Sequence, residues 1–66
     1  MIGIIFSDGR VSDGIGETKK QATSMFKNYY GYRPPQDSYF SEVERKIETH
    51  GEMISMRWVE RRITPR

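Results

Sequence analysis

The chain contains no cysteine, so disulfide bonds and thiolate metal ligands are excluded. It also lacks a long hydrophobic run, because its most apolar stretch covers only positions 1–6. A membrane-spanning helix needs about 20 apolar residues, and a signal peptide carries a basic segment before its apolar core. We therefore expect no membrane segment, no signal peptide and a cytoplasmic location.

Charge of one sign is also scarce. Eleven lysines and arginines oppose nine acidic residues, for a net charge of +2. This is too little for nucleic-acid binding driven by total charge, so such a function would depend on where the charges lie. The 66 residues predict one small domain over positions 1–66. Within it, we expect positions 62–66 to form a flexible tail.

The first 16 residues have the pattern of a β-hairpin. Apolar residues alternate in the first run, and Asp8-Gly9 is a strong signal for a two-residue turn. Folding the chain back about this turn pairs Phe6 with Val11 and Ile2 with Ile15. Glycines in the returning strand predict that it lies at an edge of the sheet.

A helix is predicted after this hairpin. Thr18 and Gln21 form a capping box, and Gly31 is a natural helix stop. The predicted apolar face at helical spacing consists of Ala22, Met25, Phe26, Tyr29 and Tyr30. We expect this face to pack on a sheet and lysines to cover the opposite face.

Positions 43–59 predict a second hairpin, because two strand-like runs flank His50-Gly51. If these are the central residues of the turn, both need positive φ, which Gly adopts freely and His more readily than most residues. The facing pairs are then Ile47 with Ile54, Val43 with Trp58 and Glu44 with Arg57. Apolar residues meet on one face, and opposite charges meet on the other.

An alternative remains for positions 38–50, which also fit a second helix. Phe40, Val43 and Ile47 share a helical face, and Ser41 with Glu44 resembles another capping box. We favour the hairpin because the β-favouring run at 54–59 needs a partner strand. The predicted fold is thus α+β, in the order ββαββ, with a single helix packed on a small antiparallel sheet built from two hairpins.

No pattern of catalytic or metal-binding residues is present. The only histidine, His50, lies beside Gly51, where a role in the turn is far more common than catalysis. Glu48 and Glu52 do not complete a metal-ligand set with it. There is no nucleophile elbow and no phosphate-binding loop. We therefore predict that the chain is not an enzyme and that it needs no cofactor.

Tyrosines and arginines are the best candidates for contacts with a partner, because both are enriched in interface hot spots. The proline-containing connector at 32–37 is expected to hold Tyr32 and Arg33 at the surface. The complete set of predicted partner-binding residues is Tyr30, Tyr32, Arg33, Tyr39, Arg57, Arg61 and Arg62. These residues indicate a small non-enzymatic interaction module, a regulator or inhibitor of another protein, similar in size to accessory proteins of phages and mobile elements.

Two alternatives stay open. A nucleic-acid-binding protein would use the basic helix face and the C-terminal arginines for phosphate contacts. Its predicted contacts are Lys19, Lys20 and Lys27, together with Arg61, Arg62 and Arg66. The chain would also form homo-oligomers if an exposed edge strand paired with another copy, and the glycine-rich strand of the first hairpin is the favoured edge.

Overall fold

The computed structural model describes residues 1–61, so the predicted tail at 62–66 lies outside the described residues. Its elements in chain order are β1 (Ile2–Ile5), β2 (Val11–Gly16), α1 (Lys19–Tyr30), β3 (Tyr39–His50) and β4 (Met53–Glu60). All neighbouring strands are antiparallel, and they form one curled sheet in the order β2-β1-β3-β4. This confirms the predicted ββαββ arrangement. Positions 39–50 form a strand, so the alternative with a second helix is wrong.

The first hairpin has a longer loop than predicted. Gly9 has φ of 90°, and its N–H donates to the Phe6 carbonyl at 2.9 Å. The Phe6 N–H donates to the Arg10 carbonyl at 2.8 Å, which closes a three-residue loop. The paired residues are Ile2 with Gly16, Gly3 with Ile15 and Ile5 with Val11, with an irregularity between Gly3 and Ile5. The predicted pair of Phe6 with Val11 is wrong because the loop contains one more residue. The predicted pair of Ile2 with Ile15 is wrong because the irregularity between Gly3 and Ile5 moves the partner of Ile2 to Gly16.

The second hairpin turns one residue later than predicted. His50 pairs with Met53, which leaves Gly51 and Glu52 as the central residues of the turn. Gly51 has φ of 63°, while no non-glycine residue in the described chain has positive φ. A type II′ turn needs glycine only at its first central position, so His50 is spared a strained conformation. The predicted pairs are therefore wrong by two positions, although each side chain keeps its predicted face.

Five cross-strand pairs in this register position the residues of the second hairpin. Ile47 lies opposite Met56, Arg45 opposite Trp58, Lys46 opposite Arg57, Glu44 opposite Val59 and Val43 opposite Glu60.

Both ends of α1 are capped as the sequence predicts. The Thr18 Oγ1 accepts a hydrogen bond from the Gln21 N–H at 3.1 Å. The Gln21 side chain reaches back and accepts from the Glu17 N–H at 2.9 Å. At the other end, Gly31 has φ of 79° and its N–H donates to the Lys27 carbonyl at 2.8 Å. These contacts satisfy backbone groups that a helix leaves without partners inside it.

The main core lies between α1 and the first hairpin. Ile4, Ala22 and Phe26 are buried there, with Ile2, Phe6 and Tyr30 partly buried around them. A Cβ at Gly16 would lie 2.6 Å from the Ala22 backbone nitrogen, so this glycine permits the close approach of the helix. The predicted apolar helix face included Met25 and Tyr29, but both side chains are exposed in the structure.

A second buried cluster lies on the sheet face that points away from the helix. Ile5 and Val43 are buried on this face. A Cβ at Gly3 would lie 2.8 Å from Val43 and 2.9 Å from Ile15, which shows how tightly this face closes around β1. The curl of the sheet covers these residues because no helix packs on this side.

Candidate binding surface

Among residues 1–61, the outer part of the second hairpin has no hydrogen-bonded strand beside it other than its own partner. Along β3, β1 pairs with Tyr39–Glu42, whereas β3 continues to His50. Residues 44–59 therefore form a two-stranded projection, which we call the arm. We call residues 1–43 the body.

One face of the arm is apolar and open to solvent. Ile47, Ile54 and Met56 expose 63%, 71% and 60% of their surface, respectively. They share this face because Ile47 lies opposite Met56 and side chains alternate along each strand. Met53 is also exposed, on the other face beside the turn. Clustered exposed apolar side chains are typical of interaction surfaces, whereas single ones are not informative.

An arginine and a tryptophan border this apolar face on the side of the body. The Arg45 guanidinium lies 5.1 Å from the centre of the Trp58 ring, a cation–π geometry. Arg45, Met56, Arg57 and Trp58 line a surface hollow of about 210 Å³. Trp58 is half-buried. The hollow therefore offers a partner the polar and aromatic groups that are common in interface hot spots.

The opposite face of the arm is charged. Glu48 Oε1 accepts a hydrogen bond from Arg57 Nη2 at 2.7 Å, and Glu48 Oε2 lies 3.5 Å from His50 Nε2. Arg57 therefore pairs with Glu48, not with Glu44 as the predicted register implied. Such exposed pairs contribute little to stability but set which charges a partner meets. Within residues 1–61, no three acidic or histidine side chains are placed to hold a metal ion.

β4 is the outermost strand on its side of the sheet. In a hairpin with a two-residue turn, the pair flanking the turn is hydrogen-bonded, and such pairs then alternate along the ladder. Residues 53, 55, 57 and 59 thus point their backbone groups toward β3. Arg61 continues this series, since its N–H donates to the Glu42 carbonyl at 2.8 Å. The backbone groups of Ile54, Met56 and Trp58 consequently point outward from the sheet.

Two of the predicted partner-binding tyrosines lie together at the end of α1. The Tyr30 hydroxyl donates to Asp13 Oδ2 at 2.8 Å and accepts from the Asp13 N–H at 3.1 Å. Burial, together with the hydrogen bond to the Asp13 carboxylate, raises the pKa of Tyr30. Tyr32 is more exposed, with its ring centre 5.9 Å from that of Tyr30 and 5.7 Å from that of Phe26. Tyr30 thus ties the helix to β2, while Tyr32 offers an accessible ring.

The other predicted residues fall on different elements. Arg33 is exposed on the connector. Tyr39 lies at the start of β3, where its hydroxyl donates to Glu60 Oε2 at 3.1 Å. Arg61 is exposed just beyond β4, and Arg57 lies on the charged face of the arm. Arg62 lies outside the described residues. The predicted set is therefore distributed over the helix end, the base of the second hairpin and the arm.

The lysines predicted to contact phosphates lie exposed on α1. Lys19 Nζ is 5.6 Å from the centre of the Phe40 ring. Lys20 lines a shallow groove of about 600 Å³ whose apolar walls are Met1, Ile15 and Met25. Lys27 lies in the last turn of the helix, where a positive charge complements the helix dipole.

Sequence reasoning placed Ile47 and Ile54 together on an apolar face but did not predict that this face is exposed. A usable signal was the length of the apolar runs. The first apolar run forms β1, a strand of 4 residues, and β3 has 12 residues. β1 can therefore lie beside only part of β3. The outer half of the longer hairpin must then lack a neighbouring strand.

Comparisons with known proteins add no relative. No family model, curated protein or solved structure matches this chain. Among residues 1–61, no helix has the length and apolar character needed to cross a membrane. The exposed apolar face of the arm is therefore the feature that bears on function.

Proposed function

We propose that this protein is a small non-enzymatic interaction module, a cytoplasmic regulator or inhibitor that binds another protein through its arm. The observation that carries this proposal is the exposure of Ile47, Ile54 and Met56 on one projecting face. Each Å² of apolar surface left in water costs about 25 cal/mol, so a partner that covers this face gains free energy. A projecting hairpin also reaches a partner without rearrangement of the body.

The charges of the arm support a protein partner over a nucleic acid. Arg57 lies against Glu48, and Arg45 lies over Trp58, so these two cations are already engaged. Nucleic-acid binding draws its affinity from cations that are free to contact phosphates. The nucleic-acid alternative accordingly relies on the C-terminal arginines and on the lysines of α1, which lie away from the apolar face.

The predicted residues Tyr32, Arg33, Tyr39, Arg61 and Arg62 enter this proposal as secondary contacts. Arg57 belongs to the arm itself and lines the hollow beside Trp58. Its guanidinium lies on the charged face with Glu48, so a partner seated on the apolar face reaches it only by extending around the strand edge. We therefore place the main contribution to affinity on the arm.

The test compares two exposed positions, one in each region. Ile54→Lys places a charge on the apolar face of the arm, and Tyr29→Lys places the same charge on an exposed position of the helix. Tagged wild type and both variants are used to capture proteins from a nuclease-treated cell lysate at low and physiological salt. We expect specific partners to be lost with Ile54→Lys and retained with Tyr29→Lys.

Two results would contradict this proposal. If Ile54→Lys retains every partner of the wild type, the arm is not the binding surface. If the wild type instead captures nucleic acid before nuclease treatment, and Lys20→Glu with Lys27→Glu abolishes that capture, the nucleic-acid alternative takes its place. The salt dependence separates them further, because phosphate contacts weaken steeply as salt rises.

A further inference from the structure

The outer edge of β4 lacks the features that usually protect an edge strand. Natural edges are blunted by proline, bulges, charges or short length. β4 has eight residues, continuous pairing with β3 and no proline, and Arg57 is its only charge before Glu60. The opposite edge strand, β2, is shorter, contains two glycines and pairs irregularly with β1.

The backbone pattern of this edge is complementary to itself. The N–H and C=O groups of Ile54, Met56 and Trp58 point outward, because the residues between them are the ones that bond to β3. A second copy of β4 in antiparallel orientation presents the same alternating groups. A two-fold axis at Met56 then pairs Met56 with Met56 of the second copy, and Ile54 with Trp58 of the second copy.

The side chains favour this register over the one shifted toward the C-terminus of β4. On the apolar face, Ile54 meets Trp58 of the second copy and the two Met56 side chains adjoin. On the other face, Met53 meets Val59 and Ser55 meets Arg57, so no like charges oppose each other within the strand.

Shifting the axis to residue 57 would place the two Arg57 side chains opposite each other and Ile54 opposite Glu60, which is unfavourable. The one like-charged pair of the favoured register joins Glu52 in the turn of one copy to Glu60 at the end of β4 of the other. The Tyr39 and Ser41 hydroxyls donate hydrogen bonds to this Glu60 carboxylate.

The hollow beside Trp58 matches the same arrangement. It measures about 210 Å³ and is lined by Arg45, Met56, Arg57 and Trp58. Ile54 of the second copy arrives opposite Trp58 in this register. The pairing therefore places an apolar side chain next to a residue that lines the hollow.

We propose that the chain forms a two-fold symmetric dimer by antiparallel pairing of β4 with β4 of a second copy, centred on Met56. The two sheets become one eight-stranded sheet, and the apolar faces of the two arms come to lie side by side. A standard interface buries roughly 800 Å² per partner, about a seventh of the 5491 Å² surface of this chain. Pairing of one strand buries less, so we expect a reversible dimer with micromolar affinity.

The test uses purified protein and charge reversal at the axis. Sedimentation velocity over a range of concentrations is recorded for wild type, Met56→Lys, Met56→Glu and an equimolar mixture of the two variants. Each charged variant brings two like charges together, and we expect its dimer to weaken at least about tenfold. The mixture should restore dimers, because lysine then faces glutamate. Met25→Lys, an exposed methionine of the body, is the matched control and should dimerise like the wild type.

A second measurement tests the register. Since the chain has no cysteine, Met56→Cys introduces one thiol per chain, placed to form a disulfide across the axis. Met53 is more exposed than Met56, but its facing residue is Val59, so Met53→Cys should remain unlinked under mild oxidation.

A wild type that stays monomeric, a dimer insensitive to both charges at position 56, or equal cross-linking of the two cysteine variants would each overturn the proposed dimer. The capture experiment with Ile54→Lys is judged separately, because a monomer can still bind another protein through the face of its arm.

Discussion

The body and the arm contain similar apolar side chains, which are buried in the body and exposed in the arm. Ile4 and Ile5 in β1 are almost completely buried, whereas Ile47 and Ile54 in the arm expose well over half of their surface. The body has a helix on one side of β1 and the curled sheet on the other. The arm has only its own two strands. Alternation of apolar residues thus determines which face a side chain takes, while neighbouring elements decide whether that face is covered.

The largest expected effect comes from the same substitution made in both regions. Ile4→Ala removes buried methyl groups from the main core, and we expect it to lower the free energy of unfolding by about 2–5 kcal/mol. Ile47→Ala in the arm should change it by no more than about 0.5 kcal/mol. Urea unfolding followed by circular dichroism measures both. A similar loss for the two variants would show that the arm packs against something in solution.

The close approach of helix and sheet gives the next largest effect. Gly16→Ala places a Cβ 2.6 Å from the Ala22 backbone nitrogen, so α1 must shift away from β2. We expect a loss of about 1–3 kcal/mol, the usual range for overpacking. Ser55→Ala in the arm is the strand control and should be nearly neutral. Equal unfolding midpoints for the two variants would be evidence against this tight contact.

The predictable parts of this fold are those governed by local chemistry. The capping box of Thr18 and Gln21 and the stop at Gly31 involve neighbours in sequence, and both are present. The order of elements follows from the same kind of signal. The exact turn does not, because a turn centred on His50-Gly51 and one centred on Gly51-Glu52 both suit a glycine at position 51. The chain adopts the turn centred on Gly51-Glu52, so every cross-strand partner lies two positions from the predicted one.

Local sequence patterns did not reveal the candidate surface, because its exposure depends on residues distant in the chain. Whether Ile54 is covered depends on how far β1 extends along β3, and β1 stops opposite Glu42. Tyr30 shows the reverse case. The sequence left open whether this side chain packs in the core or contacts a partner, and its hydroxyl binds Asp13, a residue 17 positions earlier. Neither outcome is visible in the residues on either side of these positions.

A smaller effect is expected at the helix cap. Thr18→Ala removes the acceptor of the Gln21 N–H and should cost about 1 kcal/mol. Thr23→Ala is a matched control within the same helix. The Thr23 hydroxyl donates to the Lys19 carbonyl inside the helix, and alanine has the higher helix propensity, so this variant should be neutral or slightly stabilising. Thermal unfolding that ranks the two variants in the opposite order would contradict the capping role.

The smallest effect is a pH dependence that belongs to the body alone. Tyr30→Phe removes the hydrogen bonds to Asp13 and should lower the free energy of unfolding by about 1 kcal/mol or less at neutral pH. Because burial raises the pKa of Tyr30 in the folded state, the fold favours the neutral phenol. Its contribution is therefore complete below the ordinary tyrosine pKa of about 10 and is lost as pH rises through the higher folded value.

Unfolding measured at neutral and at alkaline pH should accordingly show a larger alkaline loss for wild type than for Tyr30→Phe. Tyr32→Phe, which changes the neighbouring ring, is the control and should retain the loss of the wild type. The arm supplies an internal reference, since Trp58 fluorescence in the folded protein should be the same in wild type and Tyr30→Phe. If the alkaline losses of wild type and Tyr30→Phe coincide, the contact with Asp13 does not couple stability to pH, and the body and the arm would not differ in this respect.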